Sequence, residues 1–108
     1  MGYYTSYKLD TEPKIDLTDD ILYTMSDGYQ WCGTKFGGWS TEEPCKWYDF
    51  DQHMKEFSKK REYKDVLFTL TGEGEESGDI WAAYYKNGLK QFARATIAFE
   101  PFDETKLK

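Results

Sequence analysis

"VLFTLTGEGEESGDIWAAYYKNG", Val66 to Gly88, is the stretch on which the fold turns. Val66, Phe68 and Leu70 alternate with Leu67 and Thr69, and Ile80, Ala82 and Tyr84 alternate with Trp81, Ala83 and Tyr85. A period of two puts alternate side chains on opposite faces of a sheet, so both runs are predicted strands. Asn87-Gly88 follows, the pairing that a two-residue type I′ hairpin turn prefers. The return strand is expected to carry Ala93, Ala95, Ile97 and Phe99 on one face, with Phe92, Arg94 and Thr96 on the other, ending at Pro101. Between the first two strands lies an acidic, glycine-rich connection holding Glu73, Glu75, Glu76 and Asp79.

Upstream, Tyr3, Thr5, Tyr7 and Leu9 alternate with Tyr4, Ser6, Lys8 and Asp10, which predicts a first strand closed by Pro13. Thr18 can cap a short helix with Asp19 and Asp20 in its first turn and Ile21, Leu22 and Met25 facing inward. Tyr29 to Phe36 reads as an aromatic strand weakened by Gly33, and "GGWSTEEPC" from Gly37 as an irregular surface loop. Asp49 and Gln52 resemble a capping box ahead of Phe50, Met54 and Phe57, which share one helical face. Lys59, Lys60 and Arg61 suit the negative end of that helix. Residues 1–108 form a single domain in this reading. Its class is α+β, a single antiparallel or mixed sheet with helices packed on one face, of the ferredoxin-like kind.

Hydrophobic residues make up a modest 39% of the chain, but aromatics supply 19%, so rings should build much of the core. The net charge of −6 argues against direct binding of a nucleic-acid backbone, which needs a basic footprint. It suits solubility or a basic partner equally. No apolar run approaches a membrane span. Cys32 and Cys45 are the two cysteines, and no leader-like segment precedes them. A reducing cytoplasm is therefore the expected location.

The acidic connection is no phosphate cradle. Gly72-x-Gly74 stands before a strand pattern instead of opening a helix, no Lys-Ser/Thr pair follows, and the carboxylates would repel phosphate. Calcium favours such oxygens, yet the spacing is not that of an EF-hand loop. Cys32, Cys45 and His53 lack the close pairing and fourth ligand of a structural zinc site. With one histidine and no G-x-S-x-G elbow, nucleophilic catalysis has no visible machinery, so no enzyme and no cofactor is expected. A solvated turn and an acidic contact face both remain open for the connection. Trp39, set among glycines in the expected loop, and Trp81 are candidate anchors beside it. In the alternative, Trp31, Trp39, Trp47, Trp81 and neighbouring tyrosines form a stacking platform for a nucleotide or sugar.

From Lys46 onward, "KWYDFDQHMKEFSKK" and "DVLFTLTGEGEESGDIWAAYYKNG" resemble a set of small acidic proteins encoded by bacteriophages and mobile elements. The most specific pieces are Lys46-Trp47-Tyr48-Asp49 and the Gly72–Glu76 run. The chain is more distantly similar to phage ferredoxin-like domains. The resemblance implies a non-enzymatic inhibitor of a host protein in the bacterial cytoplasm, of the anti-CRISPR or other counter-defence kind. Its implied target is a nucleic-acid-binding defence protein with a basic surface. Glu73, Glu75, Glu76 and Asp79 would face that partner, with Trp39 or Trp81 as the desolvated anchor. An exposed edge strand would also permit a homodimer.

Overall fold

The computed structural model describes residues 3–76, 78–94 and 102–107. Ala95, Thr96, Ile97 and Phe99 of the expected return strand, and Pro101 after it, lie outside them.

The first strand, β1 (Thr5–Glu12), buries every second residue, with Thr5, Tyr7, Leu9 and Thr11 inward and Ser6, Lys8, Asp10 and Glu12 outward. Helix α1 (Asp19–Met25) starts as the sequence suggests, the Thr18 hydroxyl accepting the Ile21 N–H at 3.3 Å. Strands β2 (Trp31–Thr34) and β3 (Gly38–Thr41) form a short hairpin, so the segment expected to be a loop is half strand. Helix α2 (Phe50–Ser58) buries Met54 and Phe57 as its periodicity requires. The capping box is not realised: Asp49 makes no side-chain cap, and Gln52 donates to Glu56 at 3.3 Å instead. Strands β4 (Leu67–Gly74), β5 (Ile80–Lys86) and β6 (Leu89–Arg94) complete a meander.

The architecture is α+β, with one open six-stranded sheet in the order β2-β3-β1-β4-β5-β6 and two α-helices. Every described pairing is antiparallel. Six strands exceed the four of a simple β-α-β-β-α-β unit. Both helices lie on the face that buries Leu9, Phe68, Leu70, Ala83 and Tyr85, all with no exposed surface. The opposite face carries Lys8, Thr69, Thr71, Ala82 and Tyr84, and no described helix covers it, the usual polarity of an antiparallel sheet.

Asn87-Gly88 makes the expected two-residue turn, with φ of 53° and 80° and Lys86 paired to Leu89. That turn is tied down twice. Asn87 exchanges hydrogen bonds of 2.9 and 3.0 Å with Asp65, and the Gly88 N–H donates to Ser58 Oγ at the end of α2. A half-buried tie joins α2 to β5: the Tyr85 hydroxyl donates to Asp51 Oδ1 at 2.9 Å, and Lys90 meets the same oxygen at 2.6 Å.

Candidate partner-binding face

The acidic connection is built, not slack. Its ends close through the Gly74 N–H to Asp79 carbonyl bond at 2.9 Å and the Asp79 N–H to Glu76 carbonyl bond at 3.1 Å. Tyr3, ahead of β1, staples it from outside. Its hydroxyl donates to Asp79 Oδ2 at 2.6 Å and accepts the Glu76 N–H at 3.0 Å. The hydrogen bond to Asp79 pushes the Tyr3 hydroxyl above its usual pKa, so it stays a neutral donor.

The glycines here serve different ends. Gly78 takes a φ of +84° with open space around it. At Gly74 an added Cβ would run into Asp79 Oδ2 and the Tyr3 hydroxyl, and at Gly72 into the Trp81 indole. Close approach, more than positive φ, selects glycine at those two positions.

Glu73, Glu75 and Glu76 are exposed, whereas Asp79 is half-buried beneath Tyr3. Glu73 and Glu75 line an open groove of about 520 Å³ with Tyr4, Ser6, Pro44 and Glu43. Glu43 arrives from a distant part of the chain. Thr5 and Cys45 exchange two backbone hydrogen bonds of 2.9 Å, and Thr5 also pairs with Gly74 across β1–β4. The start of β1 thus draws the Glu42-Glu43-Pro44 segment and the acidic turn to either side of Tyr4. A second hollow of about 510 Å³ continues past Tyr4 to Tyr29, Glu42 and Lys46, whose ammonium lies 4.9 Å from the Tyr4 ring centre. Sequence reading passed over Glu42 and Glu43. "TEEP" was visible as an acidic pair, but nothing local tied it to Glu73.

The two tryptophans do not serve as surface anchors. Trp39 is 4% exposed, because β3 sets it opposite Leu9 of β1 inside the sheet face that the helices cover. Trp81 is 8% exposed and stacks with both Phe50 and Phe92. The aromatic groups that do reach solvent beside the acids are Tyr4, 42% exposed, and Tyr48, 65% exposed.

Cys32 is exposed and Cys45 buried, and both are free thiols. Burial pushes the Cys45 thiol above its usual pKa, which suits packing better than reactivity. His53 Nδ1 accepts the Trp47 indole N–H at 2.8 Å. Among the described residues no cluster of three His, Cys, Asp or Glu side chains could hold a metal ion, and no helix is long and apolar enough to cross a membrane. No family model, curated protein or solved structure matches the chain.

Proposed function

We propose that this protein is a non-enzymatic binding protein that offers its acidic groove to a basic surface on a partner protein. The observation behind it is the convergence of Glu43 with Glu73 and Glu75 around the exposed Tyr4. Carboxylates from separate chain segments, one of them in a hydrogen-bonded turn, form a preorganised negative concavity that a freely solvated turn would not need. Charge of this kind mainly raises association rate and partner discrimination. With Trp39 and Trp81 buried, Tyr4 takes the anchor role.

Taken with the resemblance to small phage proteins, the reading extends to a host-directed inhibitor acting in the bacterial cytoplasm. Its partner is then a nucleic-acid-binding defence protein, of the kind anti-CRISPR proteins block. The ferredoxin-like reading of the fold belongs here too. Its support is the element order β1-α1-β2-β3-α2-β4 and the neighbour order β2-β3-β1-β4, to which the β5–β6 hairpin is added. β2 and β6 are the outermost of the described strands, and an edge strand of that kind would permit a homodimer.

The test is association with the partner captured from host lysate at low salt, measured against a Glu43/Glu73/Glu75→Lys variant. The reversal is expected to slow association ~10-fold or more, and salt near 0.5 M to do the same, since the Debye length there is only ~4 Å. Association indifferent to both changes rules the acidic groove out.

The small-ligand reading has one observation in its favour, a separate cleft lined by Tyr7, Trp47, Phe50 and Trp81. Asp79 in its wall disfavours the phosphates of a nucleotide.

A further inference from the structure

Asn87 is the only asparagine in the chain, and glycine follows it. The type I′ turn demands that pairing, with φ of 53° and 80° between the paired residues Lys86 and Leu89. The same pairing is chemically labile. Asparagine is among the thermolabile side chains, and a following glycine carries no Cβ to obstruct attack by its own backbone nitrogen on the asparagine side-chain carbon. The residues that make the best turn are therefore also the ones most prone to close a ring.

Both reacting groups are occupied in the folded chain. The Asn87 side-chain carbonyl accepts the Asp65 N–H at 2.9 Å, and its amide nitrogen donates to Asp65 Oδ1 at 3.0 Å. The Gly88 N–H donates at 3.1 Å to Ser58 Oγ, a fully buried hydroxyl that itself donates to the Lys55 carbonyl. Ring closure needs the amide carbon to swing onto the Gly88 nitrogen, and needs that nitrogen to lose its proton. The Asp65 bonds oppose the first movement and the Ser58 bond opposes the second.

We infer that Asn87-Gly88 is a self-modifying site, which reacts when the turn opens and which Asp65 and Ser58 hold back while it is closed. In the first step the Gly88 nitrogen bonds to Asn87 Cγ, the Cγ–Nδ2 bond breaks, and ammonia leaves with the proton that the Gly88 nitrogen gives up. Water then opens the cyclic imide at either carbonyl, giving aspartate or isoaspartate at position 87. Neither product restores the turn. Aspartate sets a carboxylate against Asp65 Oδ1, where the amide nitrogen donated. Isoaspartate adds a methylene to the main chain of a two-residue turn whose register Lys86 and Leu89 fix. Either change loosens the hairpin from the end of α2, and refolding does not undo it.

The test follows conversion of Asn87 in the full chain at mildly alkaline pH, by mass spectrometry of the peptide that contains it, with isoaspartate resolved by chromatography. The blocked hexapeptide Tyr-Lys-Asn-Gly-Leu-Lys and the urea-unfolded chain give the unprotected rate. The folded chain is expected to react at least ~10-fold more slowly than both. Ser58→Ala and Asp65→Gly should each react at least ~3-fold faster than wild type, the scale of one lost hydrogen bond. Glycine suits the φ of 63° at position 65, and alanine keeps the Cβ at 58, so circular dichroism should show both variants folded. A folded wild type that reacts as fast as the hexapeptide, or a folded variant that reacts no faster than wild type, would overturn the inference. The experiment involves neither the acidic groove nor a partner, so its outcome is separate from that of the Glu43/Glu73/Glu75 reversal.

Discussion

Replacing Gly72 with alanine tests the account of why the acidic stretch contains glycine at all. Gly72 pairs with Tyr7 on one side and Trp81 on the other, and the indole lies directly over it. An alanine Cβ would stand 2.8 Å from Trp81 Nε1 and nearer still to two of its ring carbons. Carbon contacts are comfortable at ~3.5–4.0 Å, so the overlap exceeds ~1 Å. The indole has little room to yield, because Phe50 and Phe92 both stack with it and Tyr7 meets it edge-on at 6.0 Å.

Overpacking of this sort costs ~1–3 kcal/mol. Disturbing one or two ring contacts adds ~0.5–1.5 kcal/mol each. Alanine recovers ~0.5–1 kcal/mol through the lower entropy of its unfolded backbone. The net expectation is ~2–3 kcal/mol, a large share of the ~5–15 kcal/mol that holds a domain together. Guanidinium unfolding followed by circular dichroism measures it. Gly78→Ala is the control: nothing lies within 4 Å of its Cβ, so only the φ of +84° is penalised, at ~1–2 kcal/mol. The decisive comparison is the double variant with Trp81→Phe, whose smaller ring should relieve the clash and give a coupling of at least ~1 kcal/mol. A Gly72→Ala loss below ~0.5 kcal/mol, or strict additivity with Trp81→Phe, would refute the close-packing argument.

Two further outcomes follow from polar groups at or inside the core's edge. Burial alone would raise Asp51, but the Lys90 and Tyr85 hydrogen bonds and the charge of Lys55 hold its carboxyl below the usual carboxylate value. Its stabilising contribution is therefore present above the unfolded pKa of ~3.9 and fades as pH falls through the folded value. The unfolding-midpoint difference between wild type and Asp51→Asn should shrink as pH is lowered from 7 towards ~2.5, and a difference constant over that range contradicts the tie. Trp31 Nε1 is buried without a hydrogen-bond partner among the described residues, whereas Trp47 Nε1 donates to His53. Trp31→Phe removes an orphaned donor and Trp47→Phe breaks a bond, so the first should cost ~1 kcal/mol less in the same denaturation assay.

The legible parts of the fold were those where one physical rule dominates locally. Trp81, Ala83 and Tyr85 alternate against Ile80, Ala82 and Tyr84, and Asn87-Gly88 can hardly do anything but turn. Strand β3 was illegible because it has only four residues, begins at a glycine with φ of +79°, and shows little alternation. Its strand character comes from pairing with β1 and β2, which no short window contains. The misplacement of Trp39 follows directly: a tryptophan beside two glycines looks exposed until Leu9 is set opposite it. For Trp81 the alternation was right but silent about which face α2 would cover.

The candidate site shows the same limit more sharply, and it bears on whether the acidic turn is merely solvated. Glu73, Glu75 and Glu76 are adjacent in sequence, so their shared exposure needed no fold to foresee. Glu43 joins them only because β1 lies inside the sheet, pairing with β4 along its length while Thr5 also bridges to Cys45. Tyr3 acts from the same end of that strand, holding Asp79 and the Glu76 N–H with one hydroxyl. Glycine at position 74 is what lets that tyrosine approach, since a Cβ there would meet its hydroxyl. The residues that give the turn its shape thereby fix the backbone from which Glu75 and Glu76 project, which is what the proposed acidic face would require of it.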